Sequence, residues 1–374
     1  MKSVYIAFIP LESGSGISRK IQAQYDAFLH NGLDMDFCVP TIIDDNYCYT
    51  INNSIIDNLG KGKLSSIKSF YKYNKILDYI KSKNVKFVYI RYDIMKVAPP
   101  FLSFLKRIKS LGATIYMEIP TYPYDGELPS NKLKYRIRNY IEKNTRKYYY
   151  KYIDKIVTFS NDSQIFNIDT IQISNAVDSE RITPREPLKH AGINLIAVAM
   201  FNFWHGYDRL IKGLHDYYSS DYTDDVHLYL VGKGKDNVLE DYQQLVDALN
   251  LNEHVTFCGV LYGDELDKMF DIADIGVGSL GRHRNGITHL KALKNVEYAV
   301  RGIPFIYSEH NSDFDDKPYV LKVSADDSNL DVNEIVKFYK SIDIKGCEIR
   351  KSIINELSWD FQIRKITQSI YSLH

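Results

Sequence analysis

Cysteine is scarce in this 374-residue chain, and no stretch of it is apolar for long. The four cysteines, Cys38, Cys48, Cys258 and Cys347, show neither metal-ligand spacing nor a disulfide framework. A stapled or zinc-held fold is therefore excluded as a class, and free thiols in a reducing cytoplasm are expected. No uncharged apolar run reaches the roughly 18 residues that a spanning helix needs. The N-terminus enters a strand directly (Val4-Tyr5-Ile6-Ala7-Phe8-Ile9) without the pattern of a signal peptide, which again points to the cytoplasm. Low-complexity tracts are missing, so a disordered chain is excluded. Excess charge is missing too, with 47 basic and 47 acidic residues. No Asp-x-Asp stretch stands directly at the carboxyl end of a predicted strand, and no metal or other cofactor is expected.

The zero sum hides a division. Residues 1–170 carry 25 Lys/Arg against 16 Asp/Glu, a net of +9, which leaves 22 against 31, or −9, for the rest. Such asymmetry, together with a length beyond one ordinary core, predicts two domains with different partners. Apolar runs near 4–9, 35–40, 86–91, 114–118, 155–159 and 171–174 read as strands, separated by helical stretches at 17–31, 64–83, 99–111 and 131–151. The second half repeats the scheme, with strands near 194–200, 226–231, 254–258, 274–278, 304–307 and 319–323. Its helices are expected near 207–219, 238–250, 264–271, 287–301, 331–341 and 346–371. Alternation of this kind builds parallel βαβ units, so the fold class is α/β with two Rossmann-like domains facing across a cleft. The divisions are placed at 1–180, 181–355 and a C-terminal helix, 356–374, packing back on the first domain.

The densest signal is NGITHLKALKNVEYAVRGIPFI, residues 285–306. Lys294 and Glu297 stand three apart and share one helical face, while Gly302 and Pro304 stop the helix before a buried strand. Upstream, Gly281-Arg282-His283-Arg284-Asn285-Gly286 is a basic, glycine-flanked turn of the sort that attracts a diphosphate. Near the N-terminus, Ser13-Gly14-Ser15-Gly16 leads from strand to helix and offers free amides to an anion. Glu118 opens a stiff aromatic loop, Pro120-Thr121-Tyr122-Pro123-Tyr124, at a strand's end. Ring faces there suit sugar stacking. Residues 131–156 carry nine Lys/Arg, two acids and six Tyr, with Leu133, Ile137, Ile141, Tyr148 and Tyr152 at helical spacing. A basic aromatic helix of this type fits an anionic membrane surface, for which residues 131–152 are the candidate; a plain solvated helix is the competing reading. No nucleic-acid motif accompanies it.

These segments resemble the retaining glycosyltransferases of family 4, of the GT-B fold, over nearly the whole chain, and specifically over 198–307. The Leu293-Lys294-x-x-Glu297-Tyr298 variant resembles a capsule-type branch. The resemblance implies that Glu297, five residues before Gly302, binds the ribose of a nucleotide sugar, and that Gly14, Gly16, Gly232 and Leu293 line the donor. Phe257-Cys258-Gly259-Val260 is similar to the family's nucleobase turn, which adds Val260. Ser174-Asn175-Ala176-Val177-Asp178 resembles the signature that opens the second domain. In the segment around Asn202, the family's Arg and Lys are replaced by Met200 and His205. Arg282, Arg284 and Lys294 are expected to supply the missing charge, with Arg284 and Lys294 acting in catalysis. His289 holds the place of the family's first Glu, and Glu118 that of its sugar-binding His, so both are expected in the catalytic set, with Asn202 and His205 among the donor-binding residues. Taken with the resemblance, these residues imply a cytoplasmic enzyme that transfers a hexose, with retention, from a UDP- or GDP-linked donor. Its acceptor would be a saccharide, including one carried on polyprenyl diphosphate, in surface polysaccharide assembly. A sugar-nucleotide epimerase and a non-catalytic partner subunit remain the alternatives.

Overall fold

The computed structural model describes residues 1–12, 15–93, 98–128, 132–178, 181–234 and 237–372. They form two compact units, Met1–Ile173 with Trp359–His374, and Ser174–Ser358. In the first, β1 (Lys2–Ala7), β2 (Asp34–Ile43), β5 (Phe87–Arg91), β6 (Thr114–Ile119), β7 (Lys155–Thr158) and β9 (Ile168–Gln172) pair in parallel. Between them run α1 (Gly16–His30), α2 (Gly62–Lys68), α3 (Asn74–Ser82), α4 (Ala98–Ser110) and α5 (Leu133–Arg146). Every residue of β5 is buried, as a strand covered on both faces requires. Three strands extend this sheet antiparallel: β3 (Asn46–Ile51), β4 (Ser54–Lys61) and β8 (Gln164–Ile165), giving the order β4-β3-β2-β1-β5-β6-β7-β9-β8. A late helix, α12 (Trp359–Tyr371), packs on α1, where Asn31 donates to the Asp360 carbonyl (3.1 Å).

The second unit holds β10 (Ile193–Phe201), α6 (Tyr207–Tyr218), β11 (Val226–Gly234), α7 (Val238–Ala248), β12 (Val255–Gly259), α8 (Asp264–Asp271), β13 (Ile275–Val277), α9 (Leu293–Arg301), β14 (Phe305–Tyr307), β15 (Val320–Lys322), α10 (Val332–Ser341) and α11 (Gly346–Lys351). Its six strands are all parallel, in the order β12-β11-β10-β13-β14-β15. The order reverses between β10 and β13, and a parallel sheet opens a crevice at its carboxyl edge at such a switch point. Both ends of this unit lie together: Val177 donates to the Leu357 carbonyl (3.1 Å) and bridges to Ser358.

Four expectations change. The β3–β4 hairpin is an addition to the expected strands. The stretch 64–83 splits into α2 and α3, with Tyr49 and Tyr73 hydroxyls donating to the Ser69 and Phe70 carbonyls (3.0 and 2.8 Å) at the break. Likewise 346–371 is two helices. The helix expected over 287–301 starts only at Leu293, because Thr288–Leu290 run extended against His310 through two backbone hydrogen bonds (2.8 and 2.9 Å).

Candidate active site

Packing fixes α9 before any ligand is considered. The Tyr298 ring lies over Gly276, where a Cβ would come within 2.5 Å of it, and its hydroxyl donates to the Val277 carbonyl (3.1 Å). Gly302, at φ 79°, ends the helix and meets the Gly346 backbone so closely that a Cβ would sit 2.6 Å from its carbonyl oxygen. This clamp aims the first turn of α9, the positive end of its dipole, at the carboxyl edge of the sheet. Asn175 supports the preceding segment by donating to the Lys291 carbonyl (2.5 Å).

Lys294 reaches from that turn to the Tyr207 hydroxyl (3.1 Å). Burial, and then the neighbouring Arg282 charge, push its pKa down to about 7, with Glu309 acting in the opposite sense. His205 is also buried and stacks on Tyr207 (5.6 Å between centroids). Its Nδ1 accepts from the Asn202 amide (3.0 Å), so it lacks a free nitrogen there and locks the turn after β10. Burial, followed by Lys294 and Arg282, holds its pKa well below the ordinary imidazole value, so the ring is neutral near pH 7. Arg282 lies over the Trp204 ring (5.6 Å) and senses the same cluster. One turn further along α9, Glu297 faces Arg301 (3.5 Å), whose guanidinium is held by Asp267 (2.7 Å) and lies over Phe270. The Glu297 Oε1 is buried without a hydrogen-bond partner. Such an oxygen asks for a donor.

Other expected residues lie differently. Arg284 is committed elsewhere: it grips Asp208 with both terminal nitrogens (2.7 and 2.9 Å), Asp327 through Nε (2.7 Å) and the Phe203 carbonyl (3.0 Å). With four of its donors engaged, it ties the basic turn to α6 and does not serve a diphosphate in this arrangement. Glu118 is fully buried in the first unit, accepting from Gln24 and Tyr89 (both 2.7 Å) beside Arg91 (3.4 Å) and Lys20 (3.9 Å). In this arrangement it compensates buried charge inside the first unit. Lys20 in turn has its pKa lowered to about 7, by burial first. His289 is exposed, stacked on His310 (5.1 Å) and bonded to Thr288 (3.0 Å). Gly232 is inside β11, and a Cβ there would strike the Ala199 carbonyl. Val260 is exposed beyond β12, Leu293 begins α9, and Gly16 begins α1 with open space at its Cα. Gly14 lies outside the described residues.

One group escapes a reading of the sequence. Glu309, two residues past β14, is 2% exposed, and both its carboxylate oxygens are without a hydrogen-bond partner. Burial pushes its pKa up to about 7 against the pull of Arg282 and Lys294. No local motif marks it, although a Glu just after a buried strand in an α/β chain is a signal of its own.

No protein-family model and no curated protein matches the sequence. Solved structures do. Sucrose-phosphate synthase from Thermosynechococcus elongatus aligns over all of both chains (TM-score 0.72, 14% identity). The chain has the GT-B fold. A glycosyltransferase from Rickettsia africae aligns with the whole of this GT-B chain over 98% of its own (TM-score 0.61, 17% identity). So does the catalytic domain of starch synthase IV from Arabidopsis thaliana, bound to ADP and acarbose (TM-score 0.63, 11% identity). The capsule-type branch of family 4 is not distinguished by these likenesses.

Proposed function

We propose that the chain is a glycosyltransferase that moves a hexosyl group from a nucleotide sugar to a saccharide, with the donor held in the second unit. The observation that carries this reading is the cluster at the switch point: Lys294, Arg282 and the start of α9 at one place, with the Glu297 carboxylate, which faces Arg301, one turn on. A departing nucleoside diphosphate gains negative charge as the glycosidic bond breaks, and cations and helix amides fixed there stabilise it without reorganising. Glu297 suits the ribose hydroxyls, because a carboxylate accepts two of them at once. Retention, membership of family 4 and independence of metal follow the sequence resemblance and belong to the proposal; turnover that survives EDTA is its expected mark.

The acceptor side is proposed to work at an anionic membrane surface, in surface polysaccharide assembly. No helix among the described residues is long and apolar enough to cross a bilayer. On α5, however, Leu133, Ile137 and Tyr140 are exposed (70%, 52% and 70%) at spacings of four and three, flanked by exposed Lys132, Lys134 and Arg136. An outward apolar stripe edged by basic residues is what an interfacial helix presents.

The test is direct. Thermal shift across UDP-, GDP- and ADP-hexoses should pick out one nucleotide, and that donor should then yield sugar transfer to a saccharide acceptor. A chain that binds no nucleotide sugar is not a glycosyltransferase, and the partner-subunit reading takes its place.

A further inference from the structure

Three buried polar groups near the carboxyl edge of the second unit's sheet have hydrogen-bonding capacity unused. The Ser308 amide donates to the Ser279 carbonyl (3.0 Å), which continues the β13–β14 pairing and sets Glu309 at the carboxyl edge of the sheet. Gly278 leaves room for Asn295, whose Oδ1 lies 2.9 Å from where a Cβ on that glycine would stand. Ser279 Oγ, both ends of the Asn295 amide and both Glu309 oxygens are buried without a hydrogen-bond partner. Its own amide and that of Ser308 approach Glu309 as weak donors that favour the charged form, short of a well-formed hydrogen bond, and it interacts electrostatically with Arg282, Lys294 and Tyr207. A buried carboxylate left in this state is costly unless something brings donors to it.

Charge decides what that something is. A second anion is repelled by Glu309, so the diphosphate lies on the Lys294 and Arg282 side. An apolar group leaves the oxygens unsatisfied. Neutral hydroxyls both donate and accept, and so suit the carboxyl in either protonation state. Resting on the glycosyltransferase reading, we propose that Glu309 receives hydroxyls of the transferred sugar, and that the donor therefore carries a neutral, hydroxyl-bearing hexose rather than a uronic acid. Glu309 is on this account a recognition residue supplied from the loop after β14.

Calorimetry with UDP, GDP, UDP-glucose, UDP-glucuronate and GDP-mannose, on the wild type, Glu309→Ala and the near-isosteric Glu309→Gln, tests this. Glu309→Ala should keep its affinity for the free nucleoside diphosphate and lose about tenfold or more for the matching hexose donor, the scale of hydrogen bonds to a charged group. Glu309→Gln, which keeps one acceptor, should lie between. The wild type should bind the glucuronate donor more weakly than the glucose donor, and Glu309→Gln should narrow that difference. Neither variant should melt below the wild type, since an unsatisfied carboxylate has been removed; if the alanine variant does not fold, the glutamine variant carries the comparison. A wild type that binds none of these nucleotides, nor ADP-glucose, overturns the glycosyltransferase reading along with this one. Nucleotide binding intact, with the hexose donor held equally by all three proteins, overturns the Glu309 assignment alone. Parallel loss of free nucleotide and hexose donor would mean a structural role, and also overturns it.

Discussion

Replacing Lys294 with methionine should make the second unit more stable and, on the proposed function, nearly abolish sugar transfer. The ammonium is taken out of water between Tyr207 and Arg282, and its pKa is lowered from 10.5 to about 7. Below pH 7 the lysine is protonated in both states, and holding it buried costs on the order of 4 kcal/mol. Between about pH 7 and 10.5 the unfolded chain binds one more proton than the folded one, so wild-type stability climbs by about 1.4 kcal/mol per pH unit. Glu309 does not blur that window, because its own change in the wild type lies at or below about pH 7. Lys294→Met removes the penalty and loses one hydrogen bond to Tyr207, worth about 1 kcal/mol. A net gain of about 3 kcal/mol at pH 7 is expected, shrinking by roughly 2–3 kcal/mol between pH 7.5 and 9.5. Urea unfolding in a Trp359→Phe background, where Trp204 is the remaining tryptophan, would report on the second unit. Turnover should meanwhile fall on the order of 10²-fold, as when one charge-stabilising donor is deleted. A variant less stable than the wild type at pH 7.5, or a gap unchanged at pH 9.5, refutes the reasoning.

Glu297→Ala should weaken nucleoside diphosphate binding about tenfold while the melting temperature holds, because Arg301 keeps Asp267; calorimetry with unchanged affinity would remove the ribose assignment. Arg284→Ala should act on stability, losing about 2–4 kcal/mol through the abandoned Asp208 and Asp327, and a double-mutant cycle with Asp208→Ala should show strong coupling; a stable variant with selectively lost turnover would restore its catalytic role. Donor affinity should decline as pH rises from 7 to 9, since the diphosphate favours protonated Lys294 and is repelled by ionised Glu309; a flat calorimetric profile would contradict this. Serine at Leu133, Ile137 and Tyr140 with glutamine at Lys132, Lys134 and Arg136 should abolish co-sedimentation with anionic vesicles. Arg146 is left alone there because it pairs with Asp125.

Local spacing made part of the site legible. Lys294, Glu297 and Tyr298 belong to one helix that Gly302 ends, and a helix's phase can be read from its own residues. Arg284 misleads for the converse reason: a basic residue between glycines looks like an anion binder until Asp208 and Asp327, distant in sequence, are brought to it. Glu309 is invisible because its burial comes from strand pairing far along the chain. The late start of α9 has the same origin in His310. The unexpected hairpin, by contrast, leaves a trace. Asp44-Asp45 and Asn52-Asn53 all have positive φ, the turn conformation that Asn and Asp tolerate best, and each pair separates two runs of strand-forming residues.

The second unit enters and leaves through neighbouring strands, and α12 goes back to α1. A ribosome therefore delivers the pieces of the first unit out of order. Its sheet and α1 emerge early but lack the packing of α12 until the whole inserted segment, Ser174–Ser358, has been made, whereas that segment holds a complete sheet of its own the moment it appears. Nascent chains arrested just before Trp359 should accordingly present a protease-resistant second unit attached to a first unit still open to cleavage.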